Sequence, residues 1–107
     1  MLEFLIRRTD GEWFDGGWDA CNPKSFPYEV IPGWGNHRIR VLGMEVAISD
    51  EEPGYQVSFH GDPHPAIALQ IVDEMRENLE AATGQKGRVV ELWRRRAERR
   101  GSERKIR

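Results

Sequence analysis

From Asp62 to Gly84 the chain reads Asp-Pro-His-Pro-Ala-Ile-Ala-Leu-Gln-Ile-Val-Asp-Glu-Met-Arg-Glu-Asn-Leu-Glu-Ala-Ala-Thr-Gly. Within it Ala68, Ile71, Val72, Met75, Leu79 and Ala82 recur at steps of three and four, while Gln70, Asp73, Glu74, Glu77 and Glu80 fall on the other side. That is the period of an amphipathic helix, which needs an apolar surface to cover. Asp62 suits an N-cap, Pro63 the first helical position and Gly84 the left-handed C-terminal residue. The spacing predicts one helix over about 63–83.

Upstream, the period changes to two. Leu2, Phe4 and Ile6 alternate with Glu3, Leu5 and Arg7, then Thr9-Asp10-Gly11 supplies turn chemistry. Ile39 and Val41 alternate with Arg38 and Arg40, and after Leu42-Gly43 the apolar positions move to even numbers at Met44, Val46 and Ile48. A hairpin turn or a bulge at Gly43 accounts for that shift. Tyr55, Val57 and Phe59 follow a charged turn as the next strand, and Arg88 to Trp93 has the β-branched content of a last one. Between Glu12 and Asn36 seven Gly and Pro residues break any long element, with Tyr28 to Ile31 the one candidate strand. The expectation is an α+β fold: an antiparallel sheet of about five strands with one long helix on one face, in the order β-β-β-β-α-β.

A chain of 107 residues has room for one domain. Its formal net charge of −2 conceals a division after Trp93. The last fourteen residues carry eight Lys or Arg against two Glu, a net of +6, which leaves a body of eight basic and sixteen acidic residues, or −8. Residues 1–93 are therefore read as the folded domain and residues 94–107 as a basic, flexible tail with almost nothing to bury. A lone cysteine, Cys21, excludes an internal disulfide and a cysteine-built metal site. No secretory pattern and no apolar run of membrane-spanning length are present, so the expected compartment is the cytoplasm, with no membrane partner.

His60-Gly61-Asp62-Pro63-His64-Pro65 resembles the His-Gly-Asp-x-His-Pro catalytic loop of aminoglycoside- and choline-kinase-like phosphotransferases. The resemblance implies a catalytic-base role for Asp62. It covers six residues. The family's metal-binding Asn after the second His is replaced by Ala66, Ile67, Ala68 and Leu69, no Gly-rich nucleotide loop or strand Lys precedes the motif, and the chain is too short for two kinase lobes. His60, Asp62 and His64 also have ligand types that suit zinc or iron. Capping by Asp62 would turn its oxygens away from a metal, so neither metal nor cofactor is expected.

Three functional classes follow. The leading one is a non-enzymatic binding protein, an acidic inhibitor or immunity-type protein acting on a basic partner such as a nuclease toxin, with Asp73, Glu74, Glu77 and Glu80 as its acidic face. Trp18 and Trp34 are candidate contacts; of the six rings in or beside the Gly/Pro-rich segment, Trp13, Phe14, Trp18, Phe26, Tyr28 and Trp34, most are expected to pack in the core, and any left exposed is a candidate contact. The second class binds nucleic acid through Arg94, Arg95, Arg96, Arg99 and Arg100, without interleaved aromatic rings to stack bases. The third is a small-molecule or metal-dependent enzyme using the His60, Asp62 and His64 turn.

Overall fold

The computed structural model describes residues 1–15, 21–33, 37–51 and 54–92. Among these residues six strands and one helix follow in chain order: β1 (Leu2–Arg8), β2 (Tyr28–Val30), β3 (His37–Val41), β4 (Met44–Glu51), β5 (Gly54–His60), α1 (Pro65–Thr83) and β6 (Gly87–Glu91). They build a single antiparallel sheet of spatial order β2-β3-β4-β5-β1-β6. The fold is thus α+β in the order β-β-β-β-β-α-β, with Tyr28–Val30 supplying the sixth strand.

Cross-strand partners share a face, so register explains the core. Ile39 lies opposite Val46, Val41 opposite Met44, Val46 opposite Phe59, Ile48 opposite Val57 and Phe4 opposite Val57. All of these side chains are buried, together with Ala68, Ile71, Val72, Met75 and Leu79 of α1. The helical stripe and the strand alternation therefore meet in one apolar layer. Phe4 and Phe59 pack edge to face within it, their centroids 5.6 Å apart.

The parity shift at Gly43 is a two-residue hairpin turn. Leu42 and Gly43 have φ of +49° and +77°, while Val41 and Met44 pair on either side. Two left-handed central residues match the right-handed twist of the flanking strands. At the far end of α1, Gly84 is left-handed as expected (φ 72°), and its N–H donates to the Glu80 carbonyl at 2.8 Å.

The helix begins later than its sequence suggests. Its N-cap is His64, with no side-chain capping bond, and Pro65 opens the first turn. The cause is Pro65 itself, since a proline forces the residue before it out of helical geometry. His64 accordingly sits at φ −85°, ψ 119°, so neither Pro63 nor Asp62 can serve as first residue or cap of a helix running through that point.

Candidate functional site

The segment leading into β2 has little regular backbone and is held by bonds to α1 and to the start of β3. The Cys21 thiol donates to the Met75 carbonyl at 3.5 Å, Asn78 donates to the Asn22 carbonyl at 2.7 Å, and the Ser25 N–H donates to Glu74 at 2.8 Å. His37 at the start of β3 meets the Asn22 side chain at 2.8 Å. These four bonds fix where the chain emerges into β2, at the outer edge of the sheet.

Of the four acidic helix residues Glu74 alone binds that segment, and the other three pair with Arg76 of the same helix. Arg76 binds Asp73 at 2.9 Å and Glu80 at 2.9 Å, with Glu77 at 3.6 Å. Glu80 also accepts the Gly87 N–H at 2.8 Å, which together with the Arg76 guanidinium holds its carboxyl below the ordinary glutamate range. Glu77 keeps the most open side chain of those paired with Arg76, 62% exposed. Trp18, Trp34 and Arg94, Arg95, Arg96, Arg99 and Arg100 lie outside the described residues.

His60 ends β5 opposite Glu45, whereas Asp62 and His64 stand exposed in the turn beyond it. Among the described residues no group of three or more His, Cys, Asp or Glu side chains converges as a metal site. Cys21 is fully buried and its thiol is pushed up to about 12 by that burial. It is a neutral thiol near neutral pH, without the thiolate a nucleophile needs.

Among the rings of the irregular segment, Phe14 belongs to the core, stacked on Tyr55 at 6.3 Å, and Phe26 packs against it in part. Trp13 and Tyr28 do not, being 44% and 39% exposed. Tyr28 is drawn outward because β2 is the last strand of the sheet. Its companions there are Val30 at 65% exposed and Leu42, in the turn after Tyr28's partner Val41, at 55%.

The backbone of β2 shares this exposure. Ile31 donates its N–H to the Arg38 carbonyl at 2.9 Å, so in the antiparallel alternation the Glu29–Arg40 pair also bonds inward. The N–H and C=O groups of Tyr28 and Val30 consequently point out of the sheet edge. Pro27 and Pro32 bracket the strand and keep its open edge short. Glu29 carries the charge of the edge, 63% exposed and paired with Arg40 at 2.7 Å. Sequence reading found the strand but not its exposure; the flanking prolines were the available sign of an edge.

Comparison with protein-family models, with curated proteins and with solved structures finds no match.

Proposed function

We propose that this is a small non-enzymatic binding protein, of the acidic inhibitor or immunity type, that captures a basic protein partner at the edge strand β2. The observation that carries this reading is the composition of that edge. Outward main-chain groups at Tyr28 and Val30 sit with three exposed apolar side chains, Tyr28, Val30 and Leu42. An extended segment of the partner would add a strand there, with backbone bonds giving affinity and side-chain contacts giving selectivity.

Charge selects the partner. The −8 of residues 1–93 favours encounter with a basic surface. At the edge, Glu29 exchanges an exposed ion pair with Arg40, a contact worth only about 0–1 kcal/mol, for a lysine or arginine of the incoming strand. A second copy of this chain is a poor occupant, because antiparallel pairing centred on Glu29 sets two glutamates opposite each other.

A photo-crosslinking residue placed at Val30 of the full chain, expressed in the source cell, tests the proposal. One dominant basic protein should be captured from Val30, absent when the crosslinker is at the exposed helix position Gln70, and reduced by Glu29→Lys. Equal capture from both positions, or an acidic protein as the main product, would reject it.

A further inference from the structure

Four of the six arginines in the described residues engage carboxylates: Arg8 with Asp10, Arg38 with Glu45, Arg40 with Glu29 and Glu45, and Arg76 with Asp73, Glu77 and Glu80. The two exceptions, Arg7 and Arg88, are direct cross-strand partners in the β1–β6 register. They alternate with the buried Phe4 and Ile6 and with half-buried Val89, so they stand side by side on the sheet face turned away from α1. Among the described side chains, which do not include that of Glu51, neither one forms an ion pair. The Nε of Arg7 is buried with no acceptor.

Like charges placed directly opposite on neighbouring strands destabilise a sheet, and a buried N–H without an acceptor adds to that cost. In a body with twice as many acidic as basic residues, two arginines in contact register that form no ion pair with a described side chain are placed to share one anion. Arg7's other cross-strand neighbour is Gly54, where a Cβ would run into the Ile6 carbonyl oxygen, so no side chain can stand there. Gly11 lies along the guanidinium, with an added Cβ falling 3.7 Å from Nη2. One step along the strands Leu5 pairs with Val90, both half-buried, forming an apolar patch beside the two cations.

The geometry points to Arg7 and Arg88 as a binding site for a phosphate dianion, most fittingly that of a small phosphomonoester whose organic part rests on Leu5 and Val90. Two planar guanidinium forks offer more donors than one carboxylate can accept, and their combined charge matches a phosphate dianion. A nucleic acid fits less well, because a long polyanion meets the whole acidic body whereas a small ligand meets only this local field.

The test is a titration of the full chain with inorganic phosphate and with a short alkyl phosphate at constant ionic strength, followed by backbone amide shifts. Saturable shifts should centre on residues 5–8 and 87–90, the alkyl ester should bind more tightly, and Arg88→Gln should weaken binding by about tenfold or more. Arg88 is exposed, so that variant leaves the core intact. Without phosphate, Arg88→Gln should melt higher than the native protein by relieving the like-charge pair; with phosphate only the native protein should gain. Shifts reproduced by chloride, binding unchanged in Arg88→Gln, a lower melting temperature for that variant, or occupation by a short RNA where both small phosphates fail would each overturn the assignment.

Discussion

The carboxylate of Glu80 joins α1 to β6: one oxygen accepts the Gly87 N–H at 2.8 Å while the other meets Arg76 at 2.9 Å. Replacing Glu80 by Ala removes both bonds and should lower unfolding free energy by about 1–2 kcal/mol in chemical denaturation at neutral pH. Because its pKa is lowered in the folded state, chiefly by the Gly87 N–H, this contribution is present above the unfolded value of 4.5 and is lost as pH falls through the folded one. Stability measured down an acid series should therefore fall less steeply for Glu80→Gln than for the native chain. Parallel slopes would count against the linkage.

Leu42 occupies a left-handed position at φ +49° that suits Asn far better, and its side chain is 55% exposed. Leu42→Asn should raise stability by about 0.5–1 kcal/mol, read as a higher denaturant midpoint with unchanged slope. The same change removes an apolar contact of the proposed edge, so it should also weaken partner capture. Opposite signs for stability and binding would mark Leu42 as a residue held for contact rather than for folding.

The Cys21 thiol should resist aromatic disulfide reagents in the native protein and react promptly once the chain is unfolded. With its folded pKa raised from 9.0 to about 12, the stability linked to it is complete below 9.0 and diminishes as pH rises toward 12. Cys21→Ala should flatten the alkaline limb of the stability curve. Rapid labelling of the native protein at neutral pH would show that the segment carrying Cys21 opens far more readily than its bonds to Met75 and Asn78 imply.

What sequence made legible was what repeats locally. Alternation at Ile39, Val41, Met44, Val46 and Ile48 specified both strands and the turn between them, and the stripe from Ala68 to Leu79 specified the helix and its buried face. Where two local rules competed, at Asp62 and Pro65, the steric rule outweighed the capping preference. The acidic helix face read as a uniform docking surface because nothing in the spacing of Asp73, Glu74, Glu77 and Glu80 says that Ser25 and Gly87 will be brought against it, although the three- and four-residue steps from Arg76 to Asp73 and Glu80 do place those ion pairs. Long-range register was equally hidden. That β1 lies between β5 and β6, placing Arg7 opposite Arg88, and that β2 lies outermost, leaving Tyr28 and Val30 uncovered, are properties of strand order rather than of any segment.

Amide hydrogen exchange at Tyr28 and Val30, measured in the full chain with and without the protein captured at Val30, tests strand addition at β2 most directly. Both amides point out of the free sheet, whereas that of Glu29 already faces β3. Binding should slow exchange at Tyr28 and Val30 by about tenfold or more with little change at Glu29. Protection appearing instead along α1 or β6, with Tyr28 and Val30 still exchanging at their free rates, would contradict it.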